Sequence, residues 1–297
     1  MKITLTGAAG NVTKPLAEKL LDAGHHVTVI GRNADNLQAL SDKGATLKIG
    51  SIEDTDFINE AFKGADVVYT MIPVPYHRTD WVEYGELIGE NYRNAIAVNG
   101  IKKVVNLSTY GAHKLEGIGA INSIGQLEKS LNKLNNVEVV HLRAGYFYSN
   151  LFNQIATLKA MGVLGANYGS SDGKMIFVHT QDIADVAFEA ITNSSFPSTE
   201  PYYVVSDIRT WNETAELIGK AMGKELNWTV FSDEQFEAGG KQAGFPDFMI
   251  AILIEIGQGI ASGKFTEHYF SLSTKPTLGK TKLEDFAREF ASVYDAN

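Results

Sequence analysis

The chain of 297 residues contains no cysteine. This absence excludes disulfide bonds, thiolate nucleophiles, iron–sulfur clusters and cysteine zinc sites. Basic residues are also few, since 26 Lys and Arg stand against 35 Asp and Glu and the net charge is −9. A protein that neutralises nucleic-acid phosphates needs a surplus of Lys and Arg, so we predict that this protein binds no nucleic acid.

Long apolar runs and targeting segments are absent as well. The most apolar stretch, residues 248–254, ends at Glu255 and is far shorter than the roughly 20 residues that a membrane-spanning helix needs. A strand-like pattern begins at Lys2 with no apolar signal segment before it. We therefore expect a cytoplasmic protein with no membrane partner, either a monomer or a homodimer, that binds a small molecule.

Histidine spacing gives no sign of a metal centre. The 7 histidines include no pair at i, i+4 spacing and join no carboxylate cluster. Metal sites without cysteine are built from such groups, so we predict no metal site.

The first half of the chain alternates short β-rich runs with amphipathic segments of helical length. The predicted strands are residues 2–6, 26–30, 45–49, 67–70, 103–107 and 137–142. The predicted helices between them are residues 14–23, 34–42, 54–62, 81–99 and 122–134. Repeated β–α–β units with short linkers predict an α/β fold, a doubly wound parallel sheet of Rossmann type with helices on both faces.

The second half is less regular, and we predict a smaller α+β lobe there. The domains are expected to be an NAD(P)-binding Rossmann domain at residues 1–150 and a substrate lobe at residues 151–297. The two are expected to interleave, because a predicted strand and helix within residues 174–206 are candidates to return to the first domain.

A glycine turn joins the first predicted strand to the first predicted helix. Free amides and the helix dipole at such a turn bind anions. Gly7 permits the tight turn, and Gly10 lets the backbone approach a pyrophosphate. The spacing is G-x-x-G and Thr13 stands where a third glycine is expected, so the prediction depends on the strand–turn–helix context.

The residue after the second predicted strand selects between NAD and NADP in folds of this kind. A carboxylate there would bind the ribose 2′-hydroxyl, but this chain has Arg32. A guanidinium offers a fork of donors to a 2′-phosphate, and such a contact is worth roughly 1.5–3 kcal/mol. We therefore predict NADP(H) in preference to NAD(H).

Together with other segments, these motifs resemble the NmrA-like family of atypical short-chain dehydrogenase/reductases. The resemblance is carried by residues 6–12 (TGAAGNV), 31–33 (GRN), 61–68 (AFKGADVV), 142–147 (LRAGYF), 178–184 (VHTQDIA) and 281–287 (TKLEDFA). Within the family the pattern is similar to that of NADPH-dependent quinone and triphenylmethane-dye reductases. Their relatives include redox-sensing proteins that bind the nucleotide without turnover.

The resemblance implies a cofactor site at the carboxyl ends of the strands, where open α/β sheets bind ligands. Around the pyrophosphate and the 2′-phosphate it implies Gly7, Ala9, Gly10, Asn11, Val12 and Arg32. Toward the adenine and ribose it implies Ser51, Met71, Ile72 and Pro73, although relatives usually carry aspartate at the position of Ser51. Near the nicotinamide it implies Ser108, Thr109, Tyr110, Tyr146 and Phe147.

Tyr110 and Ser108 are the candidate catalytic residues. Tyr110 and Lys114 match the Tyr-x-x-x-Lys string of related reductases, but they lie on a strand-ending loop, so we do not expect them to form that acid–base pair. Ile124 stands where many relatives carry His or Lys. Reduction of an electron-poor acceptor needs less acid–base help, because positioning supplies most of the rate.

We therefore predict an oxidoreductase that transfers hydride from NADPH to a quinone-like or conjugated small-molecule acceptor. The candidate substrate residues are Tyr146 and Phe147, with Tyr76 and Phe245 closing the pocket, and His113 is a second candidate proton donor. Two alternatives stay open. One is a non-catalytic NADP(H)-binding redox sensor or regulatory protein, and the other is a nucleotide-sugar epimerase-like enzyme.

Overall fold

The computed structural model describes residues 1–169 and 173–296. The strands within them are β1 (Lys2–Leu5), β2 (His26–Gly31), β3 (Thr46–Ile49), β4 (Val67–Thr70), β5 (Lys103–Thr109), β6 (Glu138–Ala144), β7 (Tyr146–Phe147), β8 (Leu164–Ala166), β9 (Lys174–Val178), β10 (Tyr202–Val204), β11 (Asp207–Thr210) and β12 (Trp228–Val230). The α-helices are α1 (Thr13–Asp22), α2 (Gln38–Asp42), α3 (Thr55–Ala61), α4 (Trp81–Val98), α5 (Asn122–Leu131), α6 (Gln154–Met161), α7 (Thr180–Thr192), α8 (Trp211–Met222), α9 (Asp233–Gln242), α10 (Asp247–Ala261), α11 (Glu267–Ser271) and α12 (Leu283–Ala296).

The large sheet has seven strands in the order β10-β6-β5-β4-β1-β2-β3, and every neighbouring pair is parallel. Six of these strands follow the 3-2-1-4-5-6 order of dinucleotide-binding folds, and β10 adds a seventh beside β6. The order reverses between β1 and β4, so a crevice lies at their carboxyl ends. This architecture confirms the predicted α/β fold with a doubly wound parallel sheet.

Helices cover both faces of this sheet. On one face the buried core includes Leu16 and Leu20 of α1 and Ile183 and Ala187 of α7. On the other face α3, α4 and α5 bury side chains such as Ile88 against the strands. Strands covered on both faces read as nearly continuous apolar runs, which explains why the sequence pattern located them.

The second lobe has its own core and two small sheets. One sheet orders β11-β9-β7 and the other pairs β12 with β8. Its core contains aromatic side chains from several elements, among them Phe177, Trp211, Phe286 and Phe290. Strand β10 and helix α7 belong to the large sheet and its covering layer, whereas β9 belongs to the small sheet. The predicted lobe of residues 151–297 includes 170–172 and 297, which lie outside the described residues.

Several elements differ from the sequence-based expectation. The predicted helix 34–42 is a 3₁₀ turn, Asp35–Leu37, followed by the short α2. Strands β7, β8, β11 and β12 were not predicted, because they are only two to four residues long and lie outside the repeated β–α–β pattern that located the equally short strands of the large sheet. Helix α9 buries none of its residues, so it lacks the apolar stripe that reveals a helix. Within residues 1–169 and 173–296, no helix combines the length and apolar content that crossing a membrane requires.

A buried carboxylate fastens the last helix to the large sheet. Asp182, in the first turn of α7, accepts hydrogen bonds from the Ser206 hydroxyl at 2.6 Å and from the Thr281 amide at 3.1 Å. The Thr281 hydroxyl donates to its other oxygen at 3.2 Å. Lys282 Nζ donates to the Ser206 carbonyl at 2.8 Å. These bonds join α7 to the loop that follows β10 and to the segment that precedes α12.

We predict that Asp182→Ala lowers the free energy of unfolding by about 2–3 kcal/mol, because hydrogen bonds to a charged group are worth more than neutral ones and the donors would be left unpaired. Urea denaturation followed by circular dichroism measures the change. Asp185→Ala is the control on the same helix. Its ion pair with Lys19, 2.6 Å long, is partly exposed, so we expect a loss below about 1 kcal/mol. Equal losses in the two variants would contradict the fastening role of Asp182.

Candidate functional site

In the turn after β1, the backbone conformation requires glycine at only one of the two glycine positions. Gly7 has a φ of +68°, and the Met71 side chain packs where its Cβ would be. Packing and conformation therefore demand glycine at this position with or without a ligand. A Cβ on Gly10 would meet only the Gly7 carbonyl, at 3.2 Å. Gly10 is exposed, so the face it presents is open to a ligand.

The start of α1 provides unpaired donors beside that face. Val12 at the N-cap offers no side-chain acceptor, and the first turn carries no acidic residue. Within the described residues, the amides of Asn11, Val12 and Thr13 donate to no acceptor. An uncapped helix N-terminus at a strand end binds phosphate through such amides and the helix dipole. The turn therefore fits a pyrophosphate.

Thr13 occupies the position at which a third glycine was expected. It is buried and lies next to the phenol of Tyr69 in β4. Its side chain points into the protein and the turn keeps its helix-entry geometry, so the extra volume does not close the anion site.

Arg32 is exposed directly after β2, and the structure gives it no ion pair or hydrogen bond with a described residue. The nearby Arg78 differs, because it is neutralised by Glu53 at 3.3 Å and Asp80 at 2.6 Å. An unpaired guanidinium at this strand end is available to a phosphate. Arg32 is therefore an exposed, unpaired cation at the carboxyl end of β2.

The residues predicted along the adenosine and ribose differ in exposure. Pro73 is exposed and Met71 is half-buried, with its amide donating to Thr6 Oγ1 at 2.9 Å. Ile72 is buried in the core beneath α4, so its side chain is turned away from the crevice. Ser51 is half-buried, and its hydroxyl accepts from the Glu53 amide at 3.2 Å. The hydroxyl of Ser51 thus stabilises its own turn.

A buried ion pair lies behind the carboxyl ends of β5 and β6. Arg143 donates to Glu128 through Nε at 3.0 Å and through a terminal nitrogen at 2.6 Å, and both side chains are less than 8% exposed. The Ser108 hydroxyl donates to the same carboxylate at 2.5 Å. Its proton is therefore committed, and Ser108 can only accept a hydrogen bond from a ligand.

The pKa of Glu128 reflects this environment. Burial acts to raise it, but the bonds from Arg143 and Ser108 outweigh burial, so the pKa lies below its ordinary value. Glu128 is consequently a stable anion and supplies no proton to a reaction.

A second polar row crosses the sheet two residues before the ion pair. Thr70 donates to Asn106 at 3.0 Å, and the Asn106 amide lies 3.1 Å from His141 Nδ1. His141 Nε2 lies 3.0 Å from Asn132 Oδ1. Burial lowers the pKa of His141, so the ring is neutral, as this alternation of donors and acceptors requires.

Phenol side chains meet at the mouth of the crevice. Tyr146 Oη lies 3.1 Å from Tyr168 Oη, and the Tyr110 ring packs on Phe265 at 5.0 Å. Burial raises the pKa of Tyr110 and Tyr146 well above the ordinary value, and Tyr76 and Tyr168 contribute to both increases. We call Tyr76, Tyr110, Tyr146 and Tyr168 the phenol cluster. Its members stay neutral and act as hydrogen-bond donors rather than as bases.

The other predicted residues lie around this cluster or away from it. Tyr76 is 37% exposed on the loop after β4, and Phe147 is half-buried against the sheet core. Thr109 is half-buried at the end of β5. Phe245 is 47% exposed in the turn between α9 and α10, and no ring contact joins it to the phenol cluster within the described residues.

Lys114 does not approach the Tyr110 phenol through any contact that the structure shows. It forms an ion pair with Glu267, and His113 Nε2 lies 3.4 Å from the same carboxylate. Burial lowers the pKa of His113, so its imidazole is neutral near pH 7. In the part of the chain that the structure describes, no group of three His, Asp or Glu is arranged to hold a metal ion.

A cavity of about 390 Å³ adjoins the phenol cluster on the second-lobe side. Trp211 lines it, together with side chains that include Met175, Ile260 and Phe270. The Trp211 ring also contacts Tyr146 and Tyr168, with centroids 5.2 and 4.9 Å apart. Lys174 and Thr266 also line the cavity, so its walls combine apolar and polar groups.

Comparison with known proteins places this geometry in a family. Residues 1–256 match the NmrA-like family. The chain belongs to that family. This membership confirms the resemblance inferred from the sequence motifs.

Curated and solved NmrA-like proteins agree with the assignment. Quinone oxidoreductase 2 of Escherichia coli (strain K12) is 24% identical over 281 residues, which are 91% of this chain and 92% of that protein. The crystal structure of the E. coli NADPH-dependent quinone oxidoreductase complexed with NADPH has a TM-score of 0.81 at 21% identity, covering 97% of this chain and 99% of that one. NmrA, a negative transcriptional regulator crystallised with NAD, has a TM-score of 0.79 at 15% identity and covers 99% of this chain and 97% of that one.

Some residues of this NmrA-like site were not assigned from the sequence. Arg143 was part of a motif but had no role, although a charged residue inside an apolar strand is a signal of a buried partner. Its partner Glu128 reads as an ordinary helix residue. Tyr168 lies in a glycine-rich stretch, and no local pattern connects it to Tyr146.

We predict that Arg32→Ala raises the Kd for NADPH about ten- to a hundredfold, because a charge-assisted contact worth roughly 1.5–3 kcal/mol is lost. The Kd for NADH should change less than about twofold, since NADH lacks the 2′-phosphate. Calorimetric titrations with NADPH, NADP⁺ and NADH measure both. Arg288→Ala, a surface change on α12, is the control. Unchanged affinity of Arg32→Ala for both nucleotides would refute the assignment.

We predict that Glu128→Gln lowers the free energy of unfolding at pH 7 by about 3–5 kcal/mol, because it leaves the buried Arg143 charge without its counter-ion. The folded pKa of Glu128 is lowered, so its contribution is complete above the ordinary value of 4.5 and is lost as the pH falls through the folded pKa. The difference between the two proteins should therefore shrink below pH 4.5.

Urea denaturation at pH 7 and at pH 4 tests this dependence. Glu90→Gln is the matched control, because Glu90 pairs with Arg93 and Lys133 at the surface, where an ion pair is worth about 0–1 kcal/mol. A loss for Glu128→Gln that is the same at both pH values would show that packing, not charge, is responsible.

Proposed function

We propose that this protein is an NADP(H)-binding oxidoreductase that transfers a hydride from NADPH to a quinone-like or conjugated small-molecule acceptor. The observation that carries the proposal is the meeting of three features at one edge of the sheet. These are the uncapped α1 N-terminus, the unpaired Arg32 and the phenol cluster. Relatives named as quinone oxidoreductase support it, as does the triphenylmethane reductase of Citrobacter sp., solved with NADP(H).

The residues divide between holding the nucleotide and holding the acceptor. The amides of Asn11, Val12 and Thr13 would bind the pyrophosphate, and Arg32 the 2′-phosphate. A bound nicotinamide supplies the hydride. Ser108, held by Glu128, presents lone pairs at the end of β5, where it can accept a hydrogen bond from a carboxamide.

The arrangement favours an acceptor whose reduction needs no strong acid. The Ser108 hydroxyl donates its proton to Glu128, and Lys114 forms an ion pair with Glu267. Burial raises the pKa of Tyr110, so this phenol is a weak acid. Hydride transfer to a conjugated acceptor gives a product that is stabilised by delocalisation, so orientation and hydrogen-bond donors suffice. Sugar epimerisation depends on an acid–base pair, and no observed contact favours it.

The same lack of an acid–base pair also fits a second candidate, a nucleotide-binding redox sensor without turnover. NmrA, a negative transcriptional regulator, shares the fold. A sensor must discriminate oxidised from reduced nucleotide, because an equal affinity for both would shift nothing.

We expect the protein to oxidise NADPH when menadione is present, with NADH a poorer donor because it lacks the group that Arg32 binds. Absorbance at 340 nm follows the reaction. A reaction mixture without the protein and the Arg32→Ala variant at limiting NADPH are the controls. Tight nucleotide binding that distinguishes NADPH from NADP⁺, with no turnover of menadione or of a triphenylmethane dye, would favour the sensor and refute the reductase.

A further inference from the structure

Tyr168 contributes a phenol from the second lobe to the mouth of the crevice. Its hydroxyl is 3.1 Å from that of Tyr146, the first residue of β7. Within the described residues, Tyr146 is the only hydrogen-bond partner of the Tyr168 hydroxyl. Tyr146 belongs to β7 of the small sheet, and this strand begins two residues after β6 of the large sheet ends, so the pair lies beside the junction of the large sheet and the second lobe.

The Tyr168 phenol is held in place by two tryptophans. The ring of Trp211 packs on it at 4.9 Å between centroids. Trp228 lies 6.0 Å from it and donates through Nε1 to the Tyr168 carbonyl at 2.7 Å. A donor fixed in this way loses little conformational entropy when it binds a ligand.

Burial raises the pKa of Tyr168 to about 12 although the hydrogen bond with Tyr146 lowers it, and burial raises the pKa of Tyr146 well above its ordinary value. Both phenols are therefore neutral, and either hydroxyl can donate within the pair. When Tyr146 donates, the Tyr168 proton is left for a third group.

Surroundings that raise the pKa of every phenol disfavour a phenolate, so the cluster presents neutral hydroxyl groups. Trp211, whose ring contacts both Tyr146 and Tyr168, also lines the neighbouring cavity of about 390 Å³. Met175, Ile260 and Phe270 line the same cavity together with Lys174 and Thr266, so an aromatic molecule with a hydrogen-bond acceptor fits these walls.

We propose that Tyr168 is an acceptor-binding residue, whose phenol donates a hydrogen bond to a carbonyl oxygen of a neutral quinone-like molecule while Tyr146 orients it. The inference rests on the proposed function, because that function supplies an acceptor at this end of the crevice. When a hydride adds to such a molecule, a π-electron pair of the acceptor moves onto its carbonyl oxygen. The Tyr168 O–H stabilises the negative charge that develops on this oxygen. The proton that completes the hydroquinone comes from water, since an ordinary phenol has a pKa of about 10 and Tyr168 holds its own proton more tightly.

Tyr168→Phe removes the hydroxyl and keeps the ring against Trp211. Equilibrium dialysis with NADP⁺-loaded protein measures the binding of menadione, which cannot arylate a thiol here because the chain has no cysteine. We expect the Kd for menadione to rise about tenfold, as for the loss of one hydrogen bond. The Kd for 2-methylnaphthalene, which has the same rings without oxygen, should stay within about twofold, and the Kd for NADPH should not change.

Tyr202→Phe is the matched control, because it removes a phenol whose ring packs on Phe196 away from the crevice, and it should leave all three constants unchanged. A Kd for menadione that is the same in Tyr168→Phe as in the unmodified protein would overturn the inference. An equal loss for 2-methylnaphthalene would also overturn it, since packing would then be the cause. If Tyr168→Phe does not fold, Tyr146→Phe tests the same pair. We expect a rise of about threefold in the menadione Kd as Tyr168 loses its orienting donor, and no rise would count against the proposal.

Failure of the inference is distinguishable from failure of the proposed function. Menadione binding is repeated on the nucleotide-free protein, with the NADPH titration run in parallel. If the protein binds menadione more tightly than 2-methylnaphthalene but does not bind NADPH, the Tyr168 inference is supported and the proposed reductase function is refuted. Tight NADPH binding with no menadione binding would remove the subsite and leave the nucleotide site.

Discussion

The buried ion pair between Arg143 and Glu128 fixes the carboxyl ends of β5 and β6 relative to each other. Arg143 lies in register with Ser108 on one side and with Tyr203 on the other, and Glu128 accepts from Arg143 and Ser108, so α5 is bonded to β6 and β5. Taking both charges out of water is costly, and the pair tolerates this only because its hydrogen bonds are complete. Any shift in register would leave a charge unpaired in the interior. The positions at which Tyr110 and Tyr146 leave their strands are thereby fixed.

The site is composite, because neither lobe contains all of it. The large sheet supplies the anion-binding turn and Arg32, whereas the second lobe supplies Tyr168 and the tryptophans that hold it. The buried carboxylate of Asp182 links the two through Ser206 and Thr281. A nucleotide bound on one lobe would thus meet an acceptor bound mainly on the other.

The features predicted for the nucleotide half are local ones, which the sequence displays directly. A glycine at positive φ, an uncapped helix and the residue after a strand are each defined by a few neighbours along the chain, as Gly7, Val12 and Arg32 show. Ile72 marks the limit of such reasoning. It follows a strand like its neighbours do, yet its side chain turns into the core under α4, and only the packing of that helix reveals the direction.

The sequence by itself determined the alternation of strands and helices in the large sheet, the glycine turn after β1 and the arginine after β2, since apolar periodicity and backbone geometry are properties of short segments. Tertiary structure alone decided which polar groups meet. Glu128 reaches Arg143 across 15 residues, and Tyr146 reaches Tyr168 across 22, through packing that no spacing along the chain encodes. The phenol cluster and the buried ion pair are made of such contacts, because buried donors and charges are paired by whichever elements the fold brings together.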